Sequence, residues 1–188
     1  MQHQMEEKLG GPGRSQIFLE PVSGETAELY CRLGEQAYRD HYLHLWPRKD
    51  PSPYIHTSFT PRVVQSEMTE QDNLHFILRF GVDAIGIAKL ILNRNPKGLE
   101  FPAPVYLEKI YLLKDHTGMG IGEQVILALH TLSRKRGMGY IYLATMQKGR
   151  ALSFYLKMGY EILRKETLPF ENAIPEEKGM FLLGRNLE

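Results

Sequence analysis

The sequence has little of several features that would place a protein in a specialised class. It contains one cysteine, Cys31, so no disulfide can form within the chain. No apolar run approaches the roughly 18 residues that span a bilayer. The first residues, MQHQMEEKLGGPGRSQ, lack the apolar core of a signal peptide. We therefore expect a cytoplasmic protein without a membrane partner.

An excess of charge of one sign is also lacking, since 23 Lys and Arg face 22 Asp and Glu for a net charge of +1. This balance gives no reason to expect nucleic acid or an anionic membrane as a partner. A length of 188 residues fits one domain with a sizeable core. The segment GGPG at 10–13 predicts a flexible tail over residues 1–15. We assign residues 16–188 to a single domain.

Hydrophobic periodicity predicts alternating strands and helices. Strands are predicted at 17–22, 74–80, 84–92, 105–113, 140–145, 160–168 and 179–187. Helices are predicted at 24–46, 60–69, 120–137 and 150–159, and breaker loops at 47–53 and 93–104. Thr60 and Pro61 have the residue types of an N-cap and a first helical position. This order predicts a mixed α/β (α+β) sheet with helices on both faces.

A glycine-rich turn lies between the strand at 105–113 and the helix at 120–137. Gly118, Gly120 and Gly122 allow close approach to a helix N-terminus, where free N–H groups and the helix dipole attract anions such as phosphate. The Gly-Lys-Ser/Thr of a P-loop is absent, and Glu123 stands where a dinucleotide fingerprint needs its third glycine. The glycines alone are equally consistent with a tight turn that only packs the helix on the strand.

A second motif lies about 30 residues further on, in QKGRALSFYLKMGYEIL at 147–163. Together the two motifs resemble the GNAT superfamily of acyl-CoA-dependent N-acetyltransferases. The family's R/Q-x-x-G-x-G/A turn corresponds to 117–122, and its N-x-x-A-x-x-F-Y-x-x-x-G-F/Y segment to 148–160. The resemblance implies a mostly antiparallel, twisted sheet of six to seven strands. It also implies acetyl-CoA as acyl donor and no metal.

The resemblance further implies where acetyl-CoA binds. In the family the central strand pairs with the pantetheine amides and presents backbone N–H groups to the thioester oxygen, while the glycine turn cradles the pyrophosphate. Thr117 and Lys148 depart from the family's Arg/Gln and Asn, and Lys148 is either a point charge for a CoA phosphate or a solvated surface lysine. The positions assigned to acetyl-CoA are Ile110, Tyr111, Leu112, Thr117, Gly118, Met119, Gly120, Ile121, Gly122, Lys148, Ala151, Phe154 and Lys157.

Two residues are candidates for proton transfer. An alkyl ammonium, with a pKa near 10.4, must lose a proton before it attacks a thioester, and the departing thiolate benefits from a donor. The family places its motif tyrosine, here Tyr155, as that donor, although its spacing also suits a core aromatic. Glu108 interrupts the apolar run VYLEKIYLL, and burial is expected to raise its pKa. YLEKIYLL resembles spermidine/spermine N-acetyltransferases, where this glutamate is the base; pairing with a nearby Lys or Arg is equally consistent.

The acceptor is expected to be a small-molecule amine. HTSFTPRVVQSEM and LPFENAIPEEKGMFLLGRNL are similar to bacterial polyamine acetyltransferases. Tyr38, Tyr42 and Trp46, near the end of the first helix, are candidates for an aromatic acceptor wall. An acceptor on a protein N-terminus or lysine, and a non-catalytic acyl-CoA sensor, remain open alternatives. A homodimer is also left open.

Overall fold

The computed structural model describes residues 16–187, which form a seven-stranded sheet in the order β1-β2-β3-β4-β5-β7-β6. Within these residues only β4 and β5 pair in parallel, so the predicted mixed, mostly antiparallel sheet is confirmed. The predicted tail at 1–15 lies outside the described residues. The strands are β1 Ile17–Pro21, β2 Asn73–Phe80, β3 Asp83–Leu92, β4 Pro104–Leu112, β5 Tyr140–Met146, β6 Glu161–Thr167 and β7 Gly179–Asn186.

The α-helices in the described part of the chain are α1 Ala27–Tyr42, α2 Ser52–Ser58, α3 Pro61–Glu67, α4 Ile121–Lys135 and α5 Arg150–Lys157. The first helix ends at Tyr42, four residues earlier than predicted, and short 3₁₀ turns follow it. The prediction of a loop over 47–53 was wrong in part, because α2 begins within it. Its prolines occupy the N-cap and the first turn, where the missing N–H costs nothing. The Thr60 cap is confirmed by its hydroxyl, which accepts from the Val63 N–H at 3.3 Å.

Helices cover both faces of the sheet, as predicted. Because side chains alternate along a strand, Leu78 and Ala88 face the core that α4 and α5 share, whereas Ile77 and Ile87 face α1, α2 and α3. Cys31 is buried in the core on the face of the sheet that α1, α2 and α3 cover, as expected for a structural thiol. Among residues 16–187, no helix combines the length and apolar character that crossing a membrane requires.

Candidate active site

A gap opens in the middle of the sheet where β4 and β5 part. The two strands pair only from 104–106 to 140–142, after which β4 stays with β3 and β5 stays with β7. A cavity of about 90 Å³ lies at this gap. Among its lining residues are Leu107, Glu108 and Ile110 of β4, Leu143 to Met146 of β5, Ala151 and Tyr155 of α5, and the tyrosines Tyr38, Tyr42, Tyr54 and Tyr111. The fold thus brings both predicted catalytic residues and two of the three predicted acceptor residues to one point.

The glycine turn has the shape of an anion cradle. Gly118 and Gly120 have left-handed backbone angles, with φ of 79° and 74°, and a Cβ on either would meet no atom within 4 Å. Within residues 16–187 the backbone N–H groups from 118 to 123 have no hydrogen-bond acceptor. Free donors at the start of a 15-residue helix suit the pyrophosphate of coenzyme A. Gly122 differs, because its Cβ would lie 3.6 Å from Phe154, where α4 packs on α5.

Other side chains assigned to acetyl-CoA are engaged elsewhere or lie at the surface. The Lys148 ammonium contacts the Glu177 carboxylate at 2.8 Å and the Glu176 carbonyl at 2.9 Å. Lys148 is therefore paired with a loop, and its predicted contact with a CoA phosphate would require that pair to open. Met119 and Lys157 are exposed, and the Thr117 hydroxyl donates to a carbonyl of its own turn. Their contacts with acetyl-CoA stay predictions.

Glu108 occupies a β-bulge on β4. Lys89 of β3 lies opposite Lys109, and Leu90 lies opposite Leu107, so Glu108 is the extra residue. Such bulges redirect a side chain, and Glu108 reaches both the cavity at the gap and a larger groove beside it. Its Oε2 accepts from the ammonium groups of Lys89 and Lys109, each at 2.7 Å. Among residues 16–187 the ion-pair partner of its Oε1 is Arg94, with Nη1 at 4.0 Å, which is beyond hydrogen-bond distance.

The expectation that the pKa of Glu108 is raised was wrong. Burial alone would raise it, but the charges of Lys109 and Lys89, and the hydrogen bonds that both donate, hold the pKa of Glu108 below its usual value. The alternative, a glutamate paired with neighbouring lysines, is confirmed. Glu108 is therefore a carboxylate at neutral pH. It is always available to accept a proton, although it is a weaker base than expected.

A polar chain extends from Glu108 through Lys89 to Glu67 and His75. Lys89, whose side chain is 2 % exposed, also contacts Glu67 at 2.7 Å, and the second Glu67 oxygen contacts His75 at 2.9 Å. Burial opposes ionisation of Glu67, but the hydrogen bond from His75 and the lysine charges lower the pKa of Glu67 to about 2. Lys89 was not predicted as a site residue, although a lone lysine in the apolar run AIGIAKLIL was a detectable signal.

Tyr155 remains a phenol throughout the neutral range. Its residue is only 8 % exposed, and burial raises the pKa of Tyr155 well above its ordinary value. The ring packs edge-on against Phe154 and Tyr160. Tyr155 is thus both a core aromatic and a lining residue of the cavity at the gap. The two interpretations of the motif tyrosine, a core aromatic and a proton donor, are therefore compatible.

Tyrosines form most of the aromatic wall of the cavity at the gap, where the sequence predicts an acceptor wall. Tyr38 stacks on Tyr54 with ring centroids 4.2 Å apart, and the hydroxyls of Tyr54 and Tyr111 are 2.7 Å apart. Trp46 is 1 % exposed and donates its indole N–H to the Tyr38 hydroxyl, so it supports the wall from behind. The side chain of Tyr111, which was assigned to acetyl-CoA, lies in this wall. Tyr54 was missed because no helix was predicted between the loop at 47–53 and the helix at 60–69.

A groove of about 580 Å³ extends the site along the sheet. It shares Glu108, Tyr54 and Tyr111 with the cavity at the gap, so it leads towards the reaction point. Aromatic and charged side chains dominate its walls. These include Tyr54, Tyr106, Tyr111, Tyr142 and Phe170, together with Glu67, Arg94, Lys97, Glu108, Lys109, Arg164 and Glu166.

The parted parallel strands, the glycine turn that starts α4, and the tyrosine and glutamate at the gap define an acyl-CoA-dependent N-acetyltransferase. The model of the Acetyltransferase (GNAT) family matches residues 35–160, and the chain belongs to this family. The protein therefore uses acetyl-CoA as its acyl donor. No curated protein matches the sequence.

Solved structures share the fold. The PaiA N-acetyltransferase from Thermoplasma acidophilum, in complex with coenzyme A, is 16% identical, with a TM-score of 0.68 and coverage of 90% of this chain and 98% of that one. A mutant of the spermidine N-acetyltransferase SpeG from Vibrio cholerae is 14% identical (TM-score 0.66; coverage 92% and 95%). The ribosomal-protein-S18-alanine N-acetyltransferase from Escherichia coli is 13% identical (TM-score 0.61; coverage 92% and 94%).

Proposed function

We propose that this enzyme transfers the acetyl group of acetyl-CoA to the primary amine of a small molecule, by direct attack within a ternary complex. One observation carries the proposal: Glu108, whose Oε1 has the Arg94 guanidinium 4.0 Å away and outside hydrogen-bond distance, and Tyr155 line the same small cavity at the gap between β4 and β5. A proton acceptor and a proton donor therefore flank one reaction point. The buried thiol of Cys31 lies in the other part of the core, which argues against a covalent acyl-enzyme.

The proton balance follows from these two residues. The acceptor ammonium first gives one proton to solvent through Glu108, directly or through water. The neutral nitrogen then forms a bond to the thioester carbonyl carbon, the carbon–sulfur bond breaks, and the nitrogen loses its second proton to Glu108. Tyr155 donates to the developing thiolate, and solvent carries the proton from Glu108 to the phenolate, so that the net reaction releases one proton. Beyond Tyr106, the edge of β4 that faces away from β3 has no strand partner among residues 16–187. Its free backbone groups suit the thioester oxygen and the pantetheine amides.

A polyamine acceptor stays a prediction. The sequence resemblance supports it, and so do the tyrosine rings, since aromatic faces attract alkyl ammonium groups. SpeG from Vibrio cholerae is a spermidine N-acetyltransferase, but at 14% identity it supports the fold alone. The charge of the groove argues in the other direction, because each carboxylate that lines it already has a cationic partner.

A panel of acceptors tests the proposal, with release of the CoA thiol as the readout. The panel holds spermidine, diamines, monoamines, amino acids, and peptides that carry one free N-terminus or one free lysine. We expect turnover of at least one small amine. Turnover of peptides alone would show a protein acceptor instead. Tight acetyl-CoA binding by calorimetry without turnover of any acceptor would show a sensor.

A further inference from the structure

The charges of the groove are unequal. Three carboxylates line it, and each is held by a cation: Glu67 by Lys89, Glu108 by Lys89 and Lys109, and Glu166 by Arg164 at 2.7 Å. Four cations line the same groove, namely Arg94, Lys97, Lys109 and Arg164. An acceptor with several ammonium groups would therefore meet like charge and no spare carboxylate beyond Glu108. An acceptor with an anionic group would meet the opposite sign.

Arg94 is the cation placed to bind such a group. Its guanidinium lies over the Tyr106 ring, with Cζ 5.5 Å from the centroid, within the range of a cation–π contact. In the described part of the chain its nearest ion-pair partner is Glu108 Oε1, at 4.0 Å, which is beyond hydrogen-bond distance. Arg164, by contrast, is occupied by Glu166 and by the Lys97 carbonyl. The N–H donors of Arg94 are thus available beside the oxygen that we expect to meet the amine.

We propose that the acceptor is a zwitterion, a primary amine with a carboxylate on the same or the neighbouring carbon. This inference rests on the proposed function. The amine binds at Glu108 Oε1 and the carboxylate binds the guanidinium of Arg94, whose planar fork matches two carboxylate oxygens. A separation of 4.0 Å between the two protein groups fits only an acceptor whose two charges are close together, as in an α- or β-amino acid. The acetamide forms at the nitrogen, and the carboxylate takes no part in bond making.

Matched pairs of acceptors test this inference. Phenylalanine is compared with phenethylamine, and lysine with cadaverine, so that each pair differs only by the carboxylate; spermidine is included. We expect the wild-type enzyme to acetylate at least one amino acid with a kcat/KM ten or more times that of its matched amine. The gain should lie mainly in KM, because the Arg94 contact is made equally in the ground state and the transition state.

Arg94→Gln tests whether the guanidinium of Arg94 binds the carboxylate of the acceptor. We expect it to raise KM for the amino acid by about tenfold or more, the loss of a charge-assisted pair, and to leave KM for the matched amine nearly unchanged. Arg94→Lys should recover part of the loss, because it keeps the charge but not the fork. Arg32→Gln removes the same charge from an exposed position on α1 and serves as the control.

The outcomes separate the two proposals. Matched amines or spermidine used as well as the amino acids, or equal effects of Arg94→Gln on both members of a pair, would overturn the zwitterion and leave the small-molecule function intact. If neither series releases thiol while peptides do, the small-molecule function fails, and the zwitterion fails with it. An amino acid preference that Arg94→Gln removes and Arg32→Gln keeps would support both.

Discussion

At the scale of single residues, the site holds two proton-transfer groups in opposite states. Burial keeps Tyr155 protonated by raising its pKa, whereas Lys109 and Lys89 overcome burial and keep Glu108 ionised. A proposed donor that is protonated at rest and a proposed acceptor that is ionised at rest need no adjustment near neutral pH. The pH dependence of the rate should then come mainly from the amine itself, which is mostly protonated below its pKa.

Tyr155→Phe tests the donor. The variant removes one hydroxyl and keeps the ring, so packing against Phe154 and Tyr160 should survive. We expect kcat to fall on the order of 10²-fold, the low end for a positioned acid, with little change in the affinity for acetyl-CoA. An acyl donor with a more acidic thiol should lose less. A wild-type kcat, with chemistry shown to limit turnover, would leave Tyr155 with a packing role only.

Glu108→Gln tests the acceptor of the amine proton. We expect kcat/KM to fall about 10²-fold near neutral pH and to recover in part at high pH, where more of the amine is already neutral. Glu166→Gln is the matched control, since Glu166 lines the same groove but pairs with Arg164 at its rim. The thermal midpoint must be followed too, because the variant leaves Lys89 and Lys109 with less negative charge. A pH–rate profile unchanged from wild type would remove Glu108 from the mechanism.

At the scale of elements, β4 organises the site. Its bulge aims Glu108, and its parting from β5 opens the cavity at the gap. The turn after it presents the backbone N–H groups from 118 to 123, which have no acceptor in the described part of the chain, at the start of α4. These three features come from one strand and its continuation. They are held in place because β3 stays paired with β4 up to Leu112.

Gly120→Asn tests the glycine turn. Asparagine tolerates the left-handed backbone better than other side chains, and here it would project into the open space above the turn. We expect the dissociation constant for acetyl-CoA, measured by calorimetry, to rise tenfold or more, about 1.4 kcal/mol. Gly137→Asn, at φ 77° beyond the other end of α4, makes the same change in an equally open place and should leave binding unchanged. Equal affinities for the two variants would make the turn structural only.

At the scale of the whole molecule, buried titratable groups link the fold to pH. His130 is 2 % exposed and contacts the Tyr160 hydroxyl at 2.8 Å. Burial, together with the charges of Arg185 and Arg134, lowers the pKa of His130 to about 4. Glu67, in the polar chain from His75 to Lys109, has its pKa lowered to about 2. In both cases the unfolded chain binds a proton at a higher pH than the folded chain does.

The free energy of unfolding should therefore fall in two stages as the pH falls. The stability tied to His130 is complete above its unfolded pKa, near 6.5, and is lost between there and about pH 4. The stability tied to Glu67 is complete above pH 4.5 and is lost towards about pH 2. Urea unfolding from pH 8 to pH 3 measures both. His130→Gln, which can still bond to Tyr160, should flatten the curve between pH 6.5 and 4.5 only; an unchanged slope there would contradict the assignment.

Local patterns in the sequence determined the strands, four of the five α-helices in the described chain, and the glycine turn, because periodicity, caps and turn residues act over a few neighbours. The paired motifs also led to the family. Tertiary structure alone decided the rest. The lowered pKa of Glu108 depends on Lys89, a residue of another strand, as well as on the adjacent Lys109, and the predicted acceptor wall includes Tyr54, from a helix with proline at its start. Arg94 belongs to the loop between β3 and β4, and it lies beside Glu108 because these two strands pair. Charges and contacts between residues distant in the chain set these properties. A short stretch of sequence does not hold all of the residues that decide them.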